Sequence, residues 1–219
     1  MKFYKIILIF FSWCTLIPIN VNAQEKINQV DAKGKKTGIW KKYYENNRIR
    51  YEGQFEADKE IGVFKYYSIL SSEHPIIIKK FNEKSAVSEV LFFKENGIKE
   101  SEGSMKGKSR IGKWVYYYSD GKTLMIEENY VDGVLEGSYT SYFKNNTISE
   151  QLNYKKGKLH GNIKRFADNG TLLEDLNYEN GFLNGQANYY NVDGKLIYTG
   201  VYENDERVGD WKYYNDGKN

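Results

Sequence analysis

His74 and His160 are the only imidazoles in the 219-residue chain, and Cys14 is its only thiol. A nucleophilic or acid–base centre would need one of them beside a serine, cysteine or carboxylate in a recognisable motif. His74 stands in Ser-Glu-His-Pro and His160 in Lys-Leu-His-Gly, and neither context supplies that partner. Neighbouring carboxylates at Glu127-Glu128 and Glu174-Asp175 offer the pair that glycoside hydrolysis uses. They recur near one repeat phase, however, which marks them first as solvated strand positions. No glycine-rich phosphate loop or zinc spacing is present. The reading is therefore a non-enzyme, with no catalytic residue, no metal site and no cofactor. What the chain has in quantity is aromatic rings, whose chemistry is contact: with each other, with a partner's side chains, or with sugar rings.

Those rings are set on a repeating frame. A turn residue recurs at near-equal intervals, at Gly38, Gly62, Ser88, Gly112, Gly137, Gly161, Gly185 and Gly209. A fixed period of this size marks a repeat array. The fifth position after each is aromatic: Tyr43, Tyr67, Phe93, Tyr117, Tyr142, Phe166, Tyr190 and Tyr214. Asn96-Gly97, Asp120-Gly121, Asn169-Gly170 and Asp193-Gly194 read as hairpin turns supplying positive φ. A second turn carries Gly34, Gly133, Gly157 and Gly181, with Asp58 and Asp205 where the glycine is lost. Few prolines and no sustained helical period favour strands throughout. The fold class predicted is all-β: an elongated single-layer antiparallel β-meander of about seven and a half 24-residue hairpin repeats. At about 4.8 Å per strand it should run roughly 65–70 Å. One unit departs: Ser68–Lys80 is longer than its counterparts and lacks the turn glycine, which reads as a tolerated insertion.

Residues 1–23 combine Lys2 and Lys5, an apolar run and a terminal Val21-Asn22-Ala23, the pattern of a cleaved signal peptide. The domain division is thus 1–23 signal peptide and 24–219 repeat array. Cys14 follows bulky Trp13 inside the apolar run, so it is not read as a lipidation site. Export predicts a periplasmic, surface or secreted location. Cleavage leaves no cysteine and 30 basic against 29 acidic residues. That balance argues against nucleic acid and against an anionic membrane as partner.

Gly-x-Trp-x-x-Tyr-Tyr at 38–44, Gly-x-Trp-x-Tyr-Tyr-x-Asp-Gly at 209–217, Tyr154–Gly161 and Tyr178–Gly185 resemble the MORN-repeat-variant family over about residues 31–219. The resemblance implies an elongated meander of hairpins, and an interaction scaffold or YwqK-type antitoxin role. The family name also carries a suggestion of membrane-lipid contact, which the near-neutral mature charge does not favour.

Alternate positions of a strand share a face. The constant fifth position opposes the second (Trp40, Phe64, Val90, Trp114, Tyr139, Ile163, Ala187, Trp211) and the fourth (Lys42, Tyr66, Phe92, Tyr116, Ser141, Arg165, Tyr189, Tyr213). The constant row is expected to stack as an aromatic ladder between hairpins. The variable rows predict either the only core a thin sheet can bury or a partner-binding face of Trp40, Phe64, Tyr66, Trp114, Tyr116, Tyr118 and Tyr139. The function expected is an exported, non-catalytic scaffold for an unidentified protein partner. An antitoxin or immunity role and envelope-glycan binding are the alternatives. The last strand, 209–219, ends on an edge only partly blunted by charge, so weak end-to-end self-association is expected as well.

Overall fold

A computed structural model describes residues 26–82 and 85–214. The signal-peptide reading and the chain after Tyr214 lie outside the described residues. Among the described residues nineteen strands form one open sheet, and every strand pairing is antiparallel between segments close in the chain. Among the described residues only the isolated bridge Ile27–Ile39 runs parallel. No helix occurs among the described residues. The meander is the one the repeat frame predicts.

The frame's glycines play a different part from the one expected. Gly38, Gly62, Gly112 and Gly209 sit inside the strands Lys36–Tyr43, Lys59–Tyr66, Ser109–Tyr117 and Glu206–Tyr213 at φ of 62° to 69°. They are in-strand kinks, not turns. The chain reverses a few residues earlier, at two-residue turns such as Ala57-Asp58 and Asn204-Asp205, where both φ are positive. At Asp58 and Asp205 the side chain compensates for the missing glycine. Asp58 accepts the backbone N–H of Lys36 at 2.8 Å and Asp205 that of Leu183 at 2.6 Å, so each carboxylate ties one unit to the last.

At the opposite rim, only the final residue of each predicted turn pair has positive φ, as at Gly97 (78°) and Gly121 (69°). The residue before it works through its side chain. Asn96 and Asp120 accept backbone N–H groups two residues on, at 3.2 and 2.9 Å. The loop at Gly97 is therefore a three-residue turn between Lys94 and Ile98, and that at Gly121 holds four residues between Tyr118 and Thr123. A bulge shifts the register beside each, between Phe92 and Phe93 and between Tyr116 and Tyr117.

Two classes of unit emerge. In one the strand crosses its glycine unbroken. In the other it is interrupted: Val134–Leu135 then Gly137–Tyr142, Lys158–Leu159 then Gly161–Phe166, Phe182–Leu183 then Gly185–Tyr190. The glycine φ opens to 85°, 88° and 109°. An asparagine clamps each break. The Asn129, Asn153 and Asn177 carbonyls accept the N–H of Glu136, His160 and Asn184 at 3.0, 2.9 and 2.9 Å. Their side-chain amides donate to the carbonyls of Ser138, Asn162 and Gln186 at 2.9, 3.1 and 2.8 Å. A polar clamp of this kind keeps the freed backbone groups paired.

The insertion is pinned to its neighbours. Asn46 and Arg48 donate to the carbonyls of Ile69 and Leu70, and Ser68 donates to Glu95 at 2.5 Å. The His74 ring lies against Gly97. The loop fills the place a turn glycine leaves empty.

Candidate partner-binding face

The two faces of the sheet differ in chemistry. We call face A the side carrying the second and fourth positions, and face B the side carrying the fifth. Every residue of the buried apolar core lies on face A, including Phe55, Phe64, Val90, Trp114, Leu152, Ile163, Leu176 and Ala187. The core is thus the variable row of the sequence, and its variation follows a packing rule. Each second-position side chain leans over a residue of the strand before it. Gly53 lies under Phe64, Gly103 under Trp114 and Gly200 under Trp211, each so close that an added Cβ would fall inside 3.0 Å of the ring. Where the upper residue is smaller, the lower one grows: Leu152 with Ile163, Leu176 with Ala187, Lys79 with Val90. Interiors hold native density only when such volumes balance.

A second position varies with these. Two residues before the frame glycine stands a cation in each tryptophan unit: Lys36 over Trp40 at 4.9 Å, Arg110 over Trp114 at 4.4 Å, Arg207 over Trp211 at 4.2 Å. In the interrupted units that position is Leu135, Leu159 or Leu183. A cation over an indole face contributes about 0.5–1 kcal/mol where exposed, and leucine covers a smaller core by apolar burial instead.

This placement divides the predicted site residues. Phe64 and Trp114 present no surface at all. They can build a face but cannot touch a partner, because the sheet buries its bulkiest rings over glycine. Trp40 and Tyr139 are half-buried in the same row. The Trp40 indole N–H donates to the Gln29 carbonyl at 3.0 Å, so the lead-in strand covers it. Tyr66 and Tyr116 lie in the outer, fourth-position row and keep part of their rings in solvent. Tyr118 sits at the rim, where its hydroxyl donates to the Tyr142 carbonyl at 2.7 Å as a staple between units. Tyr116 and Tyr118 share an open recess of about 520 Å³ with Lys94, Ser101 and Met125. Trp40, Phe64 and Tyr66 belong to one aromatic patch; Trp114, Tyr116 and Tyr139 belong to another around Glu128.

Glu128 is the residue sequence reading undervalued. It occupies the lower position under Tyr139, where most other units hold glycine or leucine, and is 7% exposed. Its carboxylate accepts the hydroxyls of Tyr116 at 2.5 Å and Tyr130 at 2.6 Å, and Arg110 pairs with it at 3.7 Å. Arg110 also donates to both hydroxyls. Burial, and then the bond to Glu128, push the Tyr116 phenol far above its ordinary value. A buried charge persists where it is this fully bonded. The signal was legible in principle: a carboxylate in the core register of the strand that precedes Tyr139.

The outer row of face A is a tyrosine rail. Tyr51 and Tyr66 are 6.0 Å apart, Tyr189 and Tyr198 stack at 4.3 Å, and Tyr198 and Tyr213 at 6.0 Å. Between the two tyrosine groups Arg165 is held by Glu150 at 2.9 Å and Glu174 at 2.6 Å. Face B, by contrast, is ionic. Lys41 and Lys65 flank Glu52 at 3.5 and 3.4 Å, and Lys113 pairs with Glu127. The constant aromatic row does not stack ring on ring as expected, because its members are two strands apart. Its hydroxyls instead reach carboxylates of the strand between: Tyr67 to Glu52 at 3.0 Å, Tyr117 to Glu102, Tyr142 to Glu127 at 3.2 Å.

A one-sheet array of kinked hairpins with an aromatic and an ionic face is a β-hairpin repeat protein. Residues 36–57, 135–156 and 159–180 match the MORN repeat variant model, so the chain carries repeats of that family at these three stretches. The matches fall on both classes of unit. Repeats of this kind generally serve as non-catalytic scaffolds for proteins or membranes. No curated protein matches the chain. Among solved structures, a protein of unknown function from Bacteroides fragilis is similar over 77% of this chain and 94% of its own, at 9% identity and a TM-score of 0.18.

Proposed function

We propose that this chain is an exported, non-catalytic scaffold that binds a partner protein on face A, through the tyrosine rail and not through the buried tryptophans. The observation that carries the reading is the rail itself. Tyr51, Tyr66, Tyr116, Tyr189, Tyr198 and Tyr213 lie on the apolar face of a sheet that has no second layer among the described residues. Tyrosine supplies large, rigid contact area at low entropic cost and is enriched in binding hot spots. Face B commits its side chains to internal ion pairs, which leaves less for a partner. The N-terminal pattern at 1–23 supports export, and the partner is then an envelope or extracellular protein. A toxin is the second such partner class, because an antitoxin built on these repeats would use the same face. The outer edge of Glu206–Tyr213 pairs with no described strand, which supports weak end-to-end association in addition.

The test is crosslinking and affinity recovery from the native cell envelope with residues 24–219. Wild type is compared with Tyr66→Ala/Tyr116→Ala and with a face-B variant, Lys65→Ala/Lys113→Ala. Recovery of one discrete protein that is lost only in the face-A variant supports the reading. Equal recovery by both variants, or recovery of glycan alone, contradicts it.

A further inference from the structure

Charge is not spread evenly along the array. Residues 26–82 carry twelve lysines and arginines against seven acids, while residues 85–214 carry sixteen against nineteen. The first third is net +5 and the remainder net −3. On face A this asymmetry becomes local chemistry. Arg110 faces Glu128, Arg165 is held between two glutamates, and Arg207 donates to the Tyr202 and Tyr213 hydroxyls. Lys36, Lys42 and Lys79 form no ion pair among the described residues. Lys42 is exposed at the head of the tyrosine rail, directly opposite Tyr51, which in turn is opposite Tyr66. Lys79 lies opposite Phe64 with its ammonium 5.8 Å from the Tyr66 ring, and Lys36 sits 4.8 Å over Phe55. Three cations with no ion pair among the described residues thus frame one aromatic surface, outnumbering Glu60, which lies opposite Phe55 and accepts the Tyr66 hydroxyl at 3.3 Å. That excess of cations does not recur on face A among the described residues.

Resting on the scaffold reading, we propose that face A between the strands Lys36–Tyr43 and Ile77–Phe81 docks an acidic polypeptide segment whose apolar side chains lie on Tyr51 and Tyr66 while its carboxylates meet Lys42, Lys79 and Lys36. Charge complementarity selects the sign of the partner, and the rings select a polypeptide with apolar side chains over a bare polyanion. The ionic contribution is screened by salt. Lys79 replaces the glycine or leucine of most other core registers, so its charge is placed by the fold where a purely structural residue would be apolar.

A random library of short linear peptides, selected on residues 24–219 at low salt, tests this. The expected pool is rich in Asp and Glu interspersed with Leu, Phe or Tyr. Its members should bind about tenfold more weakly to Lys42→Glu, in line with the loss of one charge-assisted contact, and more weakly again when the salt is raised above physiological strength. Lys79→Met, which keeps the stem and drops the charge, guards against misfolding as the cause. A neutral or basic pool lost on Tyr66→Ala would overturn the acidic partner and leave the scaffold reading standing. Peptides indifferent to every face-A variant, or no binders at all, would overturn both. Binding to phosphatidylcholine vesicles doped with phosphatidylglycerol, without any peptide pool, would give the lysines to a lipid surface and overturn the proposal.

Discussion

Gly103 lies directly beneath the indole of Trp114, leaving no room for a Cβ between strand and ring. The Trp114 indole N–H, reaching past that glycine, donates to the Ser104 carbonyl at 3.1 Å. The pair behaves as one volume divided between two positions. Gly103→Leu alone should destabilise by about 1–3 kcal/mol through overpacking, and Trp114→Ala by about 3–5 kcal/mol through the cavity left. The exchange Gly103→Leu/Trp114→Ile reproduces the Leu152/Ile163 register and should cost less than the two single changes summed, with a coupling of about 0.5–3 kcal/mol. Urea unfolding reads all of these. Strict additivity would mean the two positions do not share a volume.

Glu128 joins the continuous units to the interrupted ones. Glu128→Gln keeps the shape and removes the charge, so it should cost about 1.5–3 kcal/mol through the weakened bonds from Tyr116, Tyr130 and Arg110. Glu128→Leu with Arg110→Leu copies the interrupted units and should be near neutral or stabilising, since well-packed apolar replacements of buried ion pairs often are. A double variant as unstable as Glu128→Gln would count against the packing rule.

The tyrosines predict alkaline unfolding. Burial, then the bond to Glu52, raise the Tyr67 hydroxyl from 10.0 to about 12. The folded state therefore holds this proton more tightly than the unfolded chain. Its stabilising effect is complete below the ordinary phenol value and is lost as pH rises from there through the folded value of about 12. Burial, then neighbouring carboxylates, raise Tyr142 and Tyr154 in the same direction. Tyr67→Phe should flatten the decline of urea midpoint over that window.

The acid limb has the opposite sign. Burial alone would raise Glu52, yet the Tyr67 hydroxyl, Lys65 and Lys41 together hold it below 4.5. The Tyr117 hydroxyl and Lys99 do the same for Glu102 against its own burial. Stability from these groups is present above the ordinary carboxyl value and falls as pH drops through their folded values. Glu52→Gln should lower stability at neutral pH and reduce the loss on acidification, as urea midpoints at pH 7 and pH 3 would reveal.

The asparagine clamps set local stability. Asn153→Ala should cost about 1 kcal/mol and speed hydrogen exchange at His160 and Asn162, leaving the Ser109–Tyr117 strand unaffected. Uniform acceleration along the array would place the clamp's effect elsewhere.

The repeat frame, the meander and the separation of two faces were legible because period-2 alternation and turn residues are local properties. The kink at Gly62 and its fellows reads as a turn because positive φ serves both, and sequence alone does not say which glycine reverses the chain. The core is harder to read. The second position looks free to vary until it is set beside its neighbour on the preceding strand, and that compensation is a cross-strand contact. The constant aromatic row looks like a ladder because it never changes, whereas the hydroxyls of Tyr67, Tyr117 and Tyr142 reach carboxylates on the strand between. Lys42 and Lys79 are hidden by a whole-chain charge balance, which averages a basic first third against an acidic remainder.

The most direct test of the central claim uses a photo-crosslinking residue in place of Tyr66 or Tyr116 on face A, and of Lys65 or Lys113 on face B, in living cells. Discrete adducts of one partner protein from the face-A positions alone are the predicted result. Adducts from face B alone, or none from either face-A position in folded protein, would contradict a scaffold that binds through its tyrosine rail.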